Sequence, residues 1–249
     1  MRKKKNFEWL NTDDSEIQYH SKQYIEPKLY TLELLEIFAN NNLDINSNFI
    51  LDFGCGGGAV TNLFAKKYPK INFLGLDVNP FYIDMAKSNS IGNATFRVFD
   101  LYSDINSLNN LNIDCLFSFQ TLSFIENYTL FIKMLLQTKP KTSLVTSLFY
   151  DGDVDANIII KDYTRNMNEI EHREAFYNIY SISRFDNELK KIGYKIDKAI
   201  PFVINADLPK SNTTSGMSTY TVKTKENIRL QISGPILMSW HTLLIKKLD

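Results

Sequence analysis

A glycine-dense turn between an apolar run and a helix-compatible run is the strongest constraint in this sequence. Residues 50–65 read ILDFGCGGGAVTNLFA, with glycine at positions 54, 56, 57 and 58. Glycine permits positive φ angles and close approach of a ligand, because it has no Cβ. A helix that begins after the turn directs its N-terminal amides and positive dipole end at an anionic group. The stretch therefore predicts a strand, turn and helix that hold a nucleotide-type cofactor.

The spacing of the glycines fits two classes of cofactor. Residues 54–59 satisfy the G-x-G-x-x-G/A pattern of dinucleotide-binding proteins, and Asp77 follows about 20 residues later, where a ribose-binding acid belongs. Asp52 favours the second class, because an ionised carboxylate repels a pyrophosphate and attracts a cationic ligand. S-adenosylmethionine (SAM) carries an ammonium and a sulfonium group and no phosphate. A dinucleotide oxidoreductase is therefore the less favoured alternative.

Residues 52–58 resemble the first motif of the class I SAM-dependent methyltransferases, acid-x-Gly-x-Gly-x-Gly. The resemblance implies that Asp77, after the second strand, binds the ribose hydroxyls and that Asp100, after the third, lies near the adenine amino group. A fourth apolar run ends at Phe119, and Gln120 after it is similar to the family segment that faces the methyl donor. The cofactor-binding residues implied in this way are Asp52, Gly54, Cys55, Gly56, Gly58, Asp77, Val78, Asp100, Leu101, Phe119, Gln120 and Tyr19. No metal is implied.

Apolar β-rich runs that alternate with helix-compatible runs predict an α/β fold. We expect a Rossmann-like, mostly parallel seven-stranded sheet with helices on both faces, an N-terminal helical lid and an extra β-flap before the last strand. The strands are predicted at residues 50–53, 73–77, 96–100, 114–119, 143–149, 195–204 and 235–245. Residues 1–249 are expected to form a single methyltransferase domain. Its parts are the lid 1–46, the SAM-binding core 47–150, a substrate-side insertion 151–185 and the C-terminal part 186–249, with the flap at 205–233.

Composition narrows the class of partner. Lys plus Arg equals Asp plus Glu at 28 each, so no global field attracts the chain to nucleic acid or to an anionic membrane. Cys55 and Cys115 have neither metal-ligand spacing nor the pattern of a disulfide framework, which favours a cytoplasmic location. The basic residues 2–5 precede no apolar signal region, and no apolar run of about 18 residues occurs.

Histidines and aromatic residues flank the cofactor motifs. On a helix, His20 and Tyr24 share one face of the predicted lid. His172 and Tyr177 lie in the long insertion after the fifth strand, at the edge where open α/β sheets bind ligands. We interpret His20 and His172 as the candidate catalytic bases, and His241 as a strand-edge residue. The candidate substrate-binding residues are Tyr24, Arg173, Tyr177 and Trp240.

These observations predict a SAM-dependent methyltransferase that acts on an oxygen or nitrogen of a small polar metabolite, such as a sugar or a cell-surface precursor. A hydroxyl acceptor needs a general base, whereas an amine needs only its neutral form. A nucleic-acid methyltransferase and a non-catalytic SAM-binding module are the alternatives.

The first prediction concerns cofactor identity. SAM and S-adenosylhomocysteine are expected to bind with micromolar-range affinity, and NAD is not, because the Asp52 carboxylate opposes a pyrophosphate. Isothermal calorimetry with the three ligands measures this directly. Tighter binding of NAD would contradict the family assignment.

Overall fold

The computed structural model describes residues 12, 14–43, 45–109, 111–163, 173–210 and 217–248. The helices are α1 (Asp14–Ile25), α2 (Leu29–Asn40), α3 (Ala59–Lys67), α4 (Pro80–Ser88), α5 (Thr129–Thr138) and α6 (Ile182–Lys190). The strands are β1 (Phe49–Phe53), β2 (Asn72–Asp77), β3 (Ala94–Val98), β4 (Cys115–Phe119), β5 (Thr142–Ser147), β6 (Phe149–Tyr150), β7 (Ile159–Asp162), β8 (Arg173–Phe176), β9 (Tyr180–Ser181), β10 (Tyr194–Pro201), β11 (Thr219–Lys223), β12 (Arg229–Ser233), β13 (Ile236–Leu237) and β14 (His241–Lys247). Short 3-10 helices occur at Ile105–Leu108 and Leu122–Phe124.

The central sheet has seven strands in the order β10-β14-β5-β4-β1-β2-β3. Strands β3, β2, β1, β4 and β5 are parallel, and β14 is antiparallel to both of its neighbours, β5 and β10. The sequence prediction of a mostly parallel, Rossmann-like sheet is confirmed. The carboxyl ends of the five parallel strands meet at one edge, which is where open α/β sheets bind ligands.

Side chains of the central strands alternate between two buried faces, as the period of a strand requires. Ile50 and Phe117 belong to the face covered by α2, α3 and α4, whereas Leu51 belongs to the face covered by α5 and α6. Phe117 packs edge-on against Phe38 and Phe64, with ring centroids 5.6 and 5.1 Å away. Truncating such a fully buried phenylalanine to alanine costs about 3–5 kcal/mol. Both faces therefore fix the sheet beneath the cofactor motifs.

Local sequence determines where two helices begin. The Asn79 side chain accepts a hydrogen bond from Phe81 N at 2.9 Å, and Pro80 occupies the first position of α4, as the Asn-Pro pair predicts. Pro27 lies two residues before the start of α2, in an extended link from α1.

Within the described helices, none has both the length and the apolar character that crossing a bilayer requires.

The last part of the chain differs from the sequence prediction. The predicted final strand, 235–245, is divided: Ile236–Leu237 forms β13, and β14 begins only at His241. Gly234 adopts φ +58°, which reverses the chain so that Ile236 pairs with Ser233 of β12. Strands β11, β12 and β13 form a separate antiparallel sheet, which we call the flap. The predicted flap is therefore present, and it includes the first residues of the run assigned to the last strand.

The other strand boundaries differ less between the sequence prediction and the structure. The third strand ends at Val98 instead of residue 100, and the sixth at Pro201 instead of residue 204. The run 143–149 is split, because β5 ends at Ser147 and Phe149–Tyr150 then pairs with β9 outside the central sheet. The division of the chain into lid, core, insertion and C-terminal part stays a prediction.

A second prediction concerns the edge opposite the cofactor motifs, where Asp114 joins three segments. Its carboxylate accepts hydrogen bonds from Asn48 N at 2.8 Å and Phe49 N at 3.3 Å, and it lies 3.1 Å from Lys141 Nζ. Burial alone raises the pKa of Asp114, but these three groups together hold it below its ordinary value. Replacing Asp114 by alanine should lower the free energy of unfolding by about 2 kcal/mol at neutral pH, the usual range for hydrogen bonds to a charged group.

The pH dependence of this effect has a definite sign. Since the folded-state pKa of Asp114 is depressed, its stabilisation is complete above the unfolded-state pKa of about 4 and is lost as the pH falls through the folded-state pKa. Urea melts of wild type and Asp114→Ala should therefore converge in acid. Asp84→Ala, at an exposed position of α4, is the matched control and should change stability by less than about 0.5 kcal/mol. An equal loss in both variants would contradict this role for Asp114.

Candidate active site

The glycine turn lies between the end of β1 and the start of α3 and is tied to the end of β2. Gly54 N and Cys55 N both donate to Leu76 O, at 2.8 and 3.0 Å. Gly54 and Gly58 adopt φ angles of +77° and +82°, which favour glycine. A Cβ at Gly58 would lie 2.6 Å from the Ala86 Cβ, so this glycine also permits α4 to pack closely. The turn thus has a fixed backbone at the carboxyl edge of the sheet.

Asp77 connects the turn to the loop after β2. Its Oδ2 accepts a hydrogen bond from Gly56 N and its Oδ1 accepts one from Asn79 N, both at 2.9 Å. Burial raises the pKa of Asp77, and the hydrogen bonds from backbone amides oppose that shift. Each carboxylate oxygen retains a lone pair, so the side chain can also accept hydrogen bonds from ribose hydroxyls.

Asp52 brings a second carboxylate to the same place. It is 2% exposed, and it accepts a hydrogen bond from Thr61 Oγ1 at 2.6 Å. Burial, with a smaller contribution from the neighbouring Asp77, raises the pKa of Asp52 to about 7, although the hydrogen bond from Thr61 opposes the shift. In the described parts of the chain neither carboxylate has a cationic partner. Two neighbouring acids, one buried and one partly buried, without a counter-ion are complementary to a cationic ligand.

Helix α1 covers the turn. His20 Nδ1 accepts a hydrogen bond from Gly57 N at 3.4 Å, and the Tyr24 hydroxyl donates to Gly57 O at 2.5 Å. The imidazole also packs on the Tyr82 ring, with centroids 4.3 Å apart. Burial lowers the pKa of His20 to about 4, although Glu16 opposes the shift. The predicted base His20 and the predicted substrate-binding residue Tyr24 thus both lie on the cofactor turn.

The remaining predicted cofactor residues lie along the same edge. Asp100 follows the end of β3 and accepts a hydrogen bond from Tyr102 N at 2.9 Å, while Leu101 is buried in the core. Val78 is half-buried beside Asp77, and Phe119 packs on Phe117 with ring centroids 4.9 Å apart. The side chains of Leu101 and Phe119 therefore contribute to the core.

The last three predicted cofactor-binding residues, Cys55, Gln120 and Tyr19, lie in environments that differ from one another. Cys55 lies inside the turn, where burial raises the pKa of its thiol well above the ordinary value. Gln120 adopts φ +58° directly after β4 and donates its backbone N–H to Thr146 O at 2.7 Å. Such strained positions of non-glycine residues are concentrated at functional sites. Tyr19 is half exposed, and its hydroxyl accepts a hydrogen bond from Lys28.

Tyr177 and Trp240, two predicted substrate-binding residues, pack against each other, and their role in binding substrate stays a prediction. Their ring centroids lie 6.1 Å apart at 78°, in a buried cluster at the carboxyl edge of β5 and the start of β14. His172 and the side chain of Arg173 lie outside the described residues, so their roles stay predictions. His241 follows Trp240, and its Nδ1 is buried without a hydrogen-bond partner among the described residues. Burial lowers the pKa of His241, and Asp151 opposes that shift.

Sequence reasoning missed Lys28 and Tyr30. The Lys28 ammonium lies 3.8 Å from the centroid of the Tyr19 ring, and burial lowers its pKa to about 7. It lies beside Ala59 and Val60 at the start of α3, and no acidic partner occurs for it in the described segments. Tyr30 packs against both the α2–α4 face and the Tyr177–Trp240 cluster. No motif or spacing marks either residue, because their importance depends on contacts with distant segments.

Among the residues described, no group of three or more histidines, cysteines and acids is arranged to hold a metal ion. The fold and the site together define a Rossmann-like cofactor-binding protein whose ligand site carries negative charge.

Comparison with known proteins identifies the family. A family model described as a methyltransferase domain matches residues 46–198, more than half of the chain. The malonyl-[acyl-carrier protein] O-methyltransferase of Priestia megaterium is 32% identical over 105 residues, which is 41% of this chain and 37% of that protein. The release factor glutamine methyltransferase of Aliivibrio fischeri is 35% identical over 75 residues, 28% of this chain and 26% of that protein. The matched part therefore spans about a third or less of these curated relatives.

A solved structure agrees over nearly the whole length. The SAM-dependent methyltransferase from Clostridium acetobutylicum has a TM-score of 0.58 and 13% identity, and the match covers 94% of this chain and 99% of that one. At this identity the likeness shows the fold alone. With the family model, it shows that the chain belongs to the class I SAM-dependent methyltransferases.

A third prediction separates two roles for His20. Because its ring packs on Gly57 and Tyr82, His20→Ala should weaken SAM binding by about 10-fold, the effect of one hydrogen bond and its packing. Loss of a general base would instead lower kcat by about 10²- to 10⁴-fold at constant SAM affinity. Calorimetry with SAM and steady-state kinetics on the same variant distinguish the two results. Ser88→Ala, on the exposed end of α4, is the control and should change neither quantity.

Proposed function

We propose that this chain transfers the methyl group of SAM to an oxygen or nitrogen of a small-molecule acceptor. The observation that carries the proposal is the pair formed by the buried Asp52 and the partly buried Asp77, which lies at the glycine turn without a cationic partner in the described chain. SAM supplies a cationic partner for the two acids and ribose hydroxyls that can donate hydrogen bonds to Asp77.

The residues around the turn fit the rest of this ligand. The start of α3 offers backbone N–H groups to an anion, and Lys28 lies beside Ala59 at that point. A carboxylate there gives Lys28 the acidic partner it lacks in the described structure. Asp100, beyond β3, is available to an amino group at the other end of the edge. In these assignments the acids of the site face the cationic groups, the ribose and the amino group of SAM, whereas Lys28 and the start of α3 face its carboxylate.

When bound, SAM supplies an electrophilic methyl group that transfers by in-line displacement. The chain's own contribution is alignment and exclusion of water, and ordered proximity can account for about 7–11 kcal/mol of the barrier. Helix α1 excludes water from the turn through His20 and Tyr24. A hydroxyl acceptor also requires removal of a proton. His241 joins His20 and His172 as a candidate, because burial lowers the pKa of its imidazole and so favours the neutral form.

Two observations favour a small molecule over a nucleic acid. The net charge is zero, and the edge beside β5 is lined by buried aromatic and aliphatic side chains instead of a basic groove. The two curated relatives carry O-methyltransferase and glutamine methyltransferase names, so they support either acceptor atom equally. The expectation of a small polar metabolite stays a prediction, as does a cytoplasmic location.

The fourth prediction tests this function with tritiated SAM. The enzyme is incubated with a fractionated small-metabolite extract and, separately, with total RNA, at about 50 and 200 mM salt. We expect salt-insensitive labelling of a low-mass compound, because no row of phosphate contacts is involved. Asp77→Ala is the control, and it should lose SAM affinity by about 1.5–3 kcal/mol and lose labelling with it.

The other outcomes have distinct meanings. Salt-sensitive labelling of RNA would replace the proposal by the nucleic-acid alternative. Tight SAM binding without any labelling would indicate a non-catalytic SAM-binding module. Absence of SAM binding would overturn the proposal altogether.

A further inference from the structure

A third buried cluster lies between the flap and the carboxyl edge of the sheet, apart from the two faces of the central core. We call it the edge cluster. Its buried members are Leu148, Tyr177, Phe202, Ile204 and Trp240. They come from the end of β5, the insertion, the segment after β10 and the start of β14, and residues of the flap pack against them. The cluster is therefore built at the place where the acceptor of a class I methyltransferase must approach.

Two hydrogen-bond donors of this region are buried without partners in the described structure. Trp240 is 4% exposed and Gln231 is 8% exposed, and neither Trp240 Nε1 nor Gln231 Nε2 donates a hydrogen bond. The orientation of the Gln231 amide is fixed, because its Oε1 accepts a hydrogen bond from Ile204 N at 3.3 Å. A buried donor without a partner costs about 1–3 kcal/mol. Two such donors against one apolar cluster indicate a ligand that accepts hydrogen bonds.

Neighbouring polar side chains of the flap have hydrogen-bond partners. The lack of partners for Trp240 Nε1 and Gln231 Nε2 is therefore not a general property of this region. Ser233, on the same buried face of β12 as Gln231, donates to Met238 O at 2.7 Å. Thr221 donates to Ala206 O and accepts from Leu208 N. Polar side chains in this part of the flap are thus paired where the chain provides a partner, and Trp240 and Gln231 stand out.

The wall of the cluster is apolar, because the side chains that form it are aliphatic, aromatic or methionine. The charged flap residues Lys223 and Arg229 instead form ion pairs with Asp207, at 3.3 and 2.8 Å. Since an isolated charge is costly in such surroundings, the ligand that fits is uncharged. Met217 and Met238 pack at the border of the cluster, and their flexible side chains can adapt to a body inserted there.

Tyr30 places the edge cluster next to the cofactor site. Its ring lies 6.4 Å from that of Phe202, in the edge cluster, and it also packs on the face that contains β1 and α3. The charge of Asp52 contributes to the raised pKa of Tyr30, about 12, after burial as the main cause. The Tyr30 side chain therefore packs on both the edge cluster and the face of the core that contains β1 and α3.

We propose that Trp240 Nε1 and Gln231 Nε2 are hydrogen-bond donors to an acceptor that lies beneath the flap, and that this acceptor is uncharged, aromatic or similarly apolar and carries a carbonyl-type oxygen. This inference rests on the proposed methyltransferase function and specifies the substrate class of the same site. It assigns to the flap the role of holding the body of the acceptor, while the nucleophilic atom faces the cofactor turn. Sugars and other highly hydroxylated acceptors are not accommodated by this lining.

Three matched phenols test the proposal in the presence of saturating S-adenosylhomocysteine. Para-hydroxyacetophenone carries an uncharged carbonyl, para-ethylphenol has the same size without it, and para-hydroxybenzoate carries a charge. Ligand-observed NMR titrations measure the three affinities on the full chain. We expect wild type to bind para-hydroxyacetophenone about 3- to 10-fold more tightly than para-ethylphenol, the effect of one or two hydrogen bonds, and para-hydroxybenzoate most weakly.

Variants connect this preference to the two donors. Trp240→Phe keeps an aromatic ring, Gln231→Leu keeps the size of the side chain, and each removes one donor, so each should reduce the preference and the double variant should abolish it. Val222→Ala, at an exposed position of the flap, is the control and should retain it. Thermal melts verify folding, and either single variant suffices if the other is unstable.

The results that contradict this inference differ from those that contradict the proposed function. Equal binding of the two uncharged phenols by wild type, tightest binding of para-hydroxybenzoate, binding of none of the three, or a preserved preference in the double variant would each overturn this inference. In all these cases calorimetric binding of S-adenosylhomocysteine leaves the proposed function intact. If S-adenosylhomocysteine does not bind, both proposals fail.

Discussion

The attachment of the glycine turn to the end of β2 is the constraint on which the rest of the site depends. Gly54 and Cys55 donate to Leu76 O, and Gly56 donates to the Asp77 carboxylate. These bonds hold the turn in left-handed conformations, so α3 begins at a fixed place and its Thr61 reaches Asp52. They also bring together two carboxylates, of which Asp52 is buried and Asp77 is partly buried. That arrangement is unfavourable for the empty protein and favourable for a cationic ligand, which is why the charge of the site carries more weight than its shape.

Much of the fold follows from local patterns. Continuous apolar runs separated by helix-compatible segments predicted the strands of the parallel sheet, and Asn79 and Pro80 predicted the start of α4. The strand predictions are wrong where contacts with residues that are distant in the sequence determine the structure. Residues 235–245 have strand composition throughout, but the positive φ of Gly234 folds Ile236 back onto the flap. Composition does not distinguish which sheet a strand joins, since that choice depends on which surfaces are already covered.

The candidate site shows the same division. The acids Asp52, Asp77 and Asp100 could be found from sequence, because each lies at or near the carboxyl end of an apolar run that forms a strand. His20 could be recognised as chemically capable, but its partner Gly57 is 37 positions away, and only the fold shows that it faces the cofactor turn. Gln231 and Trp240 acquire meaning from buried donors without partners in the described chain, and Lys28 from its contacts with Tyr19 and with the start of α3, none of which a spacing encodes. His172 and Arg173 remain predictions from sequence.

The flap is inserted between two strands that are adjacent in the sheet. β10 and β14 pair antiparallel from Tyr194↔Lys247 to Pro201↔His241, so the segment between them leaves and returns at neighbouring points. Lengthening a loop whose ends are already held together costs little, because closure entropy grows only with the logarithm of its length, about 0.6 kcal/mol for each doubling. Insertions and deletions between positions 202 and 240 can therefore accumulate without disturbing the register of the sheet. The flap can therefore diversify in evolution while the glycine turn and the parallel strands stay unchanged.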